Sequence, residues 1–414
     1  SASTKLIHGG LRYLEYYEFR LVAEALAERE VLLGIAPHII WPLEFVLPHE
    51  SHLRPAWLIR LGLFFYDHLG RRAFGLGENT STLPASRNVR LTPEGHGKGL
   101  KPEFRRGFAY YDCWVDDARL VVLNARSAAA RGARIAVRTR LTGARRQGDR
   151  WQLDLASSEG SHTEAVTARV LVNAAGPWVK SVLDREIGLA SPGKARLVRG
   201  SHIVVRRLHD RRHAFILQNP DRRIVFMIPY EREFTLIGTT DIPVTTTPAI
   251  PQAGADEIQY LCAAVNRYLE KPISPDAVLW SYAGVRPLYD DGSANPSAVT
   301  RDYTLRMDVD QGTAPVLSIF GGKITTYRKL AEHVLEKLAP WFPDIKGSWT
   351  DQEPLPGSEL PSSHETPELW RSLPQPVLDT LTHRHGTRIN HVLKGIKSER
   401  SEEHTSELQS HHDL

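Results

Sequence analysis

Two cysteines and two methionines in 414 residues leave little sulfur chemistry to assign. Cys113 and Cys262 are too few for a disulfide framework or a thiolate zinc site, which points to a reducing compartment. No run of about 18 apolar residues occurs, so no segment reads as a helix that crosses a bilayer. Charge of one sign is also lacking: 52 Lys and Arg stand against 48 Asp and Glu, a formal net charge of +4. The cations are spread along the chain instead of clustering with aromatics, which argues against nucleic acid and fits anionic substrates or lipids. The hydrophobic content of 41% can build one large core or two moderate ones.

Against these absences, the first fifteen residues, SASTKLIHGGLRYLE, are dense in chemistry. Three hydroxyls (Ser1, Ser3, Thr4) sit with Lys5, His8, Gly9, Gly10 and Arg12. A Gly-Gly pair lets backbone approach a flat or phosphorylated ligand, because no Cβ holds it off. A helical pattern beginning near Leu11 would aim free N–H groups and a partial positive charge at that turn. The plain alternative is a surface turn leading into a helix.

Along the chain, Leu14, Tyr17, Leu21 and Ala25 recur at helical spacing until Gly34 and Pro37 stop the pattern. Residues 38–48 read as extended. Residues 54–72 read as a helix starting at Pro55, with Trp57, Leu58, Leu61, Phe64 and Phe65 apolar and arginines at both ends. That composition suits a helix lying in a membrane interface, and equally a core helix with solvated ends. Residues 73–101 read as a loop. Residues 108–115 are strand-like, Asp116 or Asp117 caps a helix through Ala130, and Gly132 ends it. Strands are expected at 134–141, 151–155 and 166–172, giving the layout of an α/β nucleotide-binding domain.

The last of these strands runs into Asn173-Ala174-Ala175-Gly176-Pro177-Trp178. A small-residue turn at that end of a strand is where open α/β sheets place ligands, though an ordinary strand-to-helix turn reads the same. From Gly200 the pattern changes to short alternating strands (201–205, 214–217, 223–229, 234–238 and 278–285) interrupted by a helix over 256–268. This is an antiparallel sheet suited to roofing a pocket. Its strand ends carry His202, the Gly238-Thr239-Thr240-Asp241 turn and Arg286. A buried strand over 314–320 then leads into Gly321-Gly322-Lys323-Ile324-Thr325-Thr326 and a helix with Tyr327, Leu330, Val334 and Leu338 on one face. Lys323 in such a turn reads as a ligand-facing cation.

Six segments carry a resemblance: KLIHGGLRYLE, NAAGPW, RGSHIVV, IGTTD, GVRPL and FGGKITTYRKLAEH. In order and approximate spacing, the chain up to about residue 350 resembles the aerobic, FAD-dependent, quinone-linked sn-glycerol-3-phosphate dehydrogenases. NAAGPW and the GTTD turn are shared with related amino-acid and amine oxidases; the first and last segments are closer to the glycerol-phosphate branch. The resemblance implies an α/β (α+β) fold: a Rossmann-like FAD-binding domain lacking its first βαβ unit, an antiparallel-sheet substrate domain and the start of a helical C-terminal domain. The cofactor domain would take residues 1–40, 105–185 and 308–345, the substrate domain 41–104 and 186–307, and the linker and first helices 346–399.

By the same resemblance, Ser3, Lys5, Leu6, His8, Gly9 and Gly10 would contact the flavin. Asn173, Ala174, Ala175 and Gly176 would lie at the nucleotide side of the cofactor, and Gly321, Gly322, Thr325 and Thr326 beside the isoalloxazine. Arg12, Tyr13, His202, Arg286 and Lys323 match substrate-pocket positions. His202 is the candidate base for the C2 hydroxyl of glycerol 3-phosphate, a core histidine being its other reading, and Arg286 the fallback as a positioning or alkoxide-stabilising group. Lys323 joins these two in the catalytic set, and no metal is expected. Electrons would pass to quinone, with the protein peripheral on the cytoplasmic face of the inner membrane, against an anionic lipid surface.

Two departures from the family stand out. No GxGxxG turn, the rest for the FAD pyrophosphate, occurs in the sequence. The chain as given is therefore expected to be incomplete and to bind FAD weakly or not at all; the competing readings are a non-catalytic fragment with a basic phosphate- or anion-binding pocket and a related FAD-dependent amino-acid or amine oxidase. At the other end, residues 400–411, RSEEHTSELQSH, resemble a translated sequencing adapter, so residues 400–414 are set aside.

Overall fold

A computed structural model of the chain describes residues 2–50, 54–72, 82–160, 162–190, 195–246, 250–289, 302–309, 312–359 and 373–393. The strands are β1 (Leu6–Ile7), β2 (Ile40–Pro48), β3 (Arg87–Arg90), β4 (Arg106–Val115), β5 (Thr139–Gln147), β6 (Arg150–Ser157), β7 (Thr163–Ala168) and β8 (Leu171–Asn173). They continue with β9 (Ala195–Arg206), β10 (Ala214–Gln218), β11 (Ile224–Tyr230), β12 (Phe234–Gly238), β13 (Ile242–Val244), β14 (Val278–Tyr289), β15 (Thr304–Asp308) and β16 (Val316–Phe320). The helices are α1 (Phe19–Ile35), α2 (Ala56–Arg72), α3 (Asp117–Ala130), the single turn α4 (Val179–Ser181), α5 (Ala255–Asn266), α6 (Tyr327–Leu338), α7 (Gln375–His385) and α8 (Ile389–Leu393).

The chain divides into two compact units, and the expected cofactor and substrate regions both lie mainly in the first: Ser1–Glu30, Pro42–Cys113 and Ala136–Ser348. Its large sheet runs β1-β4-β2-β10-β11-β12-β9-β13, with β14 also paired to β9 and β3 to β4. From β10 to β14 the pairing is antiparallel, as the alternation of those segments predicts, while β10 joins β2 in parallel. Ile203, Val205, Phe215, Leu217, Val225, Met227 and Ile237 bury one face of this sheet against Leu261, Val265 and Tyr268 of α5 and its continuation. Two three-stranded sheets complete the unit, β15-β16-β8 and β5-β6-β7. Trp151 fills the space between them, its indole Nε1 donating to Pro315 O at 2.8 Å.

The second unit comprises Val31–Trp41, Trp114–Ile135 and Trp349–Leu414. Here α3 starts on Asp116, whose side chain accepts from Arg119 N at 3.1 Å, one of the two caps that the sequence left open. Leu381, Ile389 and Leu393 of α7 and α8 form its small core.

Four sequence expectations are corrected. The pattern beginning at Leu11 is not one helix: Leu11–Tyr16 is a 3₁₀ turn, and Tyr17 at φ 60° separates it from α1. The strand expected at 134–141 begins only at Thr139, after Arg138 at φ 53°, and runs on to Gln147. The single strand expected at 166–172 is two, because β7 pairs with β6 whereas β8 pairs in parallel with β16. The expected loop 73–101 contains β3, paired with β4; residues 73–81 lie outside the described residues.

Candidate active site

The site grows from β9, where Gly200, Ser201 and His202 break a run of apolar residues. His202 lies opposite Gly238 of β12 on one side and Tyr282 of β14 on the other. A Cβ at Gly238 would come within 2.1 Å of the His202 ring, so only glycine leaves the imidazole room to lie there. The ring is buried and stacks on Tyr282, with centroids 4.8 Å apart and planes 9° from parallel. Its Nε2 is 3.0 Å from the Thr4 hydroxyl, and Tyr282 donates to Ser3 O at 2.8 Å. The N-terminal stretch thus meets the antiparallel sheet at the histidine.

Arg286 extends from β14 across Gly200, where a Cβ would lie 2.3 Å from its Nη2. Its guanidinium pairs with Asp241 and donates to Thr239 Oγ1 at 3.0 Å. The same Gly238–Asp241 turn therefore supports both His202 and Arg286. Glu257 of α5 anchors the turn from behind: it accepts from Thr240 at 2.6 Å, Ser201 at 2.8 Å and Gly254 N at 3.0 Å, and pairs with Arg199 at 2.7 Å. Burial works to raise the Glu257 carboxyl, but these hydrogen bonds and the Arg199 charge together hold it below the usual carboxylate range.

A third segment arrives after β16. Gly321 and Gly322 take φ of 74° and 104°, which side-chain-bearing residues rarely adopt. They aim Lys323 back at the N-terminal stretch, with Nζ 3.4 Å from His8 O and from Gly9 O and 4.8 Å from the Tyr13 ring centroid. Thr325 is fully buried, accepting from His8 N at 3.2 Å, and its hydroxyl lies 3.3 Å from His8 O. Thr326 N closes onto Lys323 O at 3.2 Å and α6 follows.

The N-terminal stretch is itself held from below. Gly9 N donates to Asp112 Oδ1 at 3.4 Å, and Asp112, 2% exposed, also receives Arg29 at 2.9 Å and the Tyr66 hydroxyl at 2.8 Å. Burial pushes the Asp112 carboxyl up against the pull of Arg29; burial likewise opposes the Arg29 charge, which Asp112 nevertheless holds. A Cβ on Gly9 would meet Leu26 and the Tyr66 hydroxyl, so the backbone lies flat on this support.

Of the residues singled out in the sequence, Ser3, His8, Gly9, Gly10, Tyr13, His202, Arg286, Lys323 and Thr325 are joined by these contacts. Lys5 turns the chain at φ 60° with its N–H on Ser3 Oγ, Leu6 is buried in β1, and Thr326 is buried at the start of α6. Asn173 sits at the end of β8, its side chain donating to Val179 O at 2.9 Å and accepting from Ala175 N at 3.3 Å. It shapes the turn through Ala174, Ala175 and Gly176, and the Gly176–Trp178 turn lies against β14. Arg12 points elsewhere, to the exposed Tyr16 hydroxyl at 3.4 Å. Sequence reasoning noted the Thr4 hydroxyl without giving it a site role, and missed Tyr282 and the Asp112–Arg29–Tyr66 cluster. An aspartate inside the aromatic strand AYYDCW was the available signal for the last.

These donors fit a flavin. Gly9 and Gly10 keep the stretch free of side chains, and a Cβ on Gly10 would strike the Tyr13 ring and approach Lys323 Nζ to 3.2 Å. Buried threonine hydroxyls, a cation and the first turn of α6 face polar ring edges well. A glycine-bared backbone clasped between an antiparallel sheet and a strand–glycine–helix turn defines an FAD-dependent oxidoreductase of mixed α/β fold.

Comparison with known proteins agrees. Residues 1–328 match the family described as FAD dependent oxidoreductase. The chain is 53% identical over 360 residues to the aerobic glycerol-3-phosphate dehydrogenase of Escherichia coli (strain K12), covering 87% of this chain and 70% of that one. It is 52% identical over 404 residues to the glycerol-3-phosphate dehydrogenase of Pseudomonas aeruginosa, covering 96% and 77%. To the D-erythritol 1-phosphate dehydrogenase of Brucella abortus it is 47% identical over 404 residues, covering 96% and 79%. The FAD-complexed glycerol-3-phosphate dehydrogenase from Bacillus halodurans shares the fold, with a TM-score of 0.69 at 23% identity over 95% of this chain and 69% of that one. The chain belongs to the glycerol-3-phosphate dehydrogenase family of FAD-dependent oxidoreductases.

Proposed function

We propose that the protein oxidises sn-glycerol 3-phosphate to dihydroxyacetone phosphate and hands the electrons to a quinone. The observation that carries this reading is the meeting of Thr4 with His202, and of His8 and Gly9 with Lys323, on one short backbone stretch. Ser3, Lys5, Leu6, His8, Gly9 and Gly10, with Gly321, Gly322, Thr325 and Thr326, would hold the ring of FAD, and Asn173 to Gly176 its nucleotide side. Bound FAD supplies a two-electron acceptor.

His202, its ring held by the stack on Tyr282, takes the C2 hydroxyl proton at Nε2, where the substrate hydroxyl would replace the Thr4 hydroxyl as hydrogen-bond partner. Arg286, fixed in direction by Asp241 and Thr239, and Lys323, steadied over Tyr13, bind the phosphate. Arg12, turned toward Tyr16, is not part of this set. The first turn of α6 favours negative charge developing beside it, worth about 0.3–2 kcal/mol. No described helix is long and apolar enough to cross a membrane. The exposed aromatic face of α2 supports a peripheral position on the lipid surface where quinone is found, on the cytoplasmic face of the inner membrane.

The match to a D-erythritol 1-phosphate dehydrogenase makes a longer polyol phosphate the second candidate substrate. Anaerobic mixing of the FAD-loaded protein with each ester tests both. Bleaching of the flavin by glycerol 3-phosphate is expected, with Arg286→Ala weakening ester binding by about 1–3 kcal/mol and His202→Asn slowing bleaching about 10²–10⁴-fold at saturating ester. Loaded protein that stays oxidised with glycerol 3-phosphate would overturn the reading.

A further inference from the structure

Away from this pocket, the parallel pairing of β10 with β2 brings a second set of chemically capable side chains together. The register sets Ala214 beside Phe45, so the preceding residues, His213 just before β10 and Glu44 in the middle of β2, are neighbours. His96 comes in from the turn after β3. That turn is closed by Gly95 N and Gly97 N on Thr92 O, each at 3.0 Å. It is also held tight by Gly97, where a Cβ would sit 2.6 Å from the Leu91 backbone. Glu44, His96 and His213 each bring a ligand atom to within 4.8 Å of the other two.

We propose that Glu44, His96 and His213 form a binding site for one divalent transition-metal ion, zinc being the best match. The donor set is two imidazoles and one carboxylate, the mixture that zinc accepts with one position left for water. The spacing fits: His96 Nε2 and Glu44 Oε2 are 3.2 Å apart, and two ligands on a tetrahedral ion at zinc distances are about 3.3 Å apart. Arg87 pairs with the other oxygen of Glu44, which orients Oε2 toward His96.

His213 supplies the independent sign of a ligand. It is 5% exposed, yet its Nε2 has no hydrogen-bond partner. A buried imidazole nitrogen left unsatisfied is costly, and an ion would satisfy it. His209 stacks on His213 at 5.1 Å and walls off the far side. Binding would replace the His96–Glu44 hydrogen bond by two metal bonds and pin the 91–100 turn to the sheet.

Cobalt(II) titration of the full chain tests this, because a four-coordinate N/O site gives visible absorption bands that octahedral aqueous cobalt lacks. The chain carries 18 histidines, so variants identify the site. We expect one equivalent of cobalt to develop the bands and one equivalent of zinc to bleach them. His96→Gln and Glu44→Gln, both at partly exposed positions, should weaken binding at least tenfold, and zinc should raise the unfolding temperature of the wild type only. His213→Gln should abolish the bands while its circular dichroism stays folded. Equal cobalt spectra and affinity in wild type and His96→Gln, or no bands in the wild type, would overturn the site.

Discussion

Glu257 shows how a residue outside the pocket sets the pocket. It touches no candidate ligand atom, yet it receives Thr240 and Ser201, the residues next to Thr239 and His202. Its carboxyl is held below the usual range, so its contribution to stability is present above the unfolded value near 4.5 and is lost as pH falls through the lower folded value. Glu257→Gln should therefore cost about 1–3 kcal/mol at pH 7, and the difference from wild type should shrink as pH drops below about 4. Urea denaturation across that range measures it; equal stability at pH 7 would show that the ionised form does not hold the turn.

Among the elements, α2 divides its residues in a way the sequence left open. Leu63 and Tyr66 are buried, Tyr66 reaching Asp112, while Trp57, Leu61, Phe64 and Phe65 are exposed. The helix has an inner and an outer apolar side, and periodicity alone gives both the same signal. Phe19 meets Phe65 edge-on at 6.4 Å and Tyr17 adjoins Phe19, so the outer side continues onto the residues before α1. Such an exposed apolar patch suits a lipid surface. Trp57→Ser and Phe65→Ser should each loosen binding to phosphatidylglycerol vesicles about tenfold, or about 1.4 kcal/mol, without changing flavin content. Sedimentation with vesicles reads this, and undiminished binding of the double variant would assign the patch to something else.

At the scale of the whole chain, legibility followed locality. The turns that carry Lys323 and Asn173 could be read because a strand, a glycine or small-residue turn and a helix cap are written within about ten residues. The Asp116 cap and the alternation of β10 to β12 were local in the same way. What could not be read was pairing across distance. Neither the departure of β8 from β7 nor the Thr4 contact with His202, 198 residues away, leaves a periodic trace. Six ordered motifs stood in for that missing geometry and pointed to the family; they gave no hint of the buried Asp112 and Glu257.

Arg328 makes another such distant bond, this one between charges. It is 7% exposed, pairs with Glu28 of α1 300 residues away and with Glu332 one turn on, and Ser348 caps the latter. Burial raises the Glu28 carboxyl and Arg328 opposes that rise, while Glu28 and Glu332 together hold the charge of the guanidinium against its own burial. Arg328→Met should cost about 3–5 kcal/mol, the usual result of stranding a buried charge. Without its partner, Glu28 would hold a proton more tightly when folded than when unfolded. The variant's deficit should therefore be smaller at pH 5 than at pH 8, and adding Glu28→Gln should recover part of it. Denaturant titration of the wild type, the single variant and the double variant at both pH values decides it. A deficit that stays the same at both pH values, or that grows when Glu28 is neutralised, would mean that packing of the long side chain, and not its charge, joins the two ends of this unit.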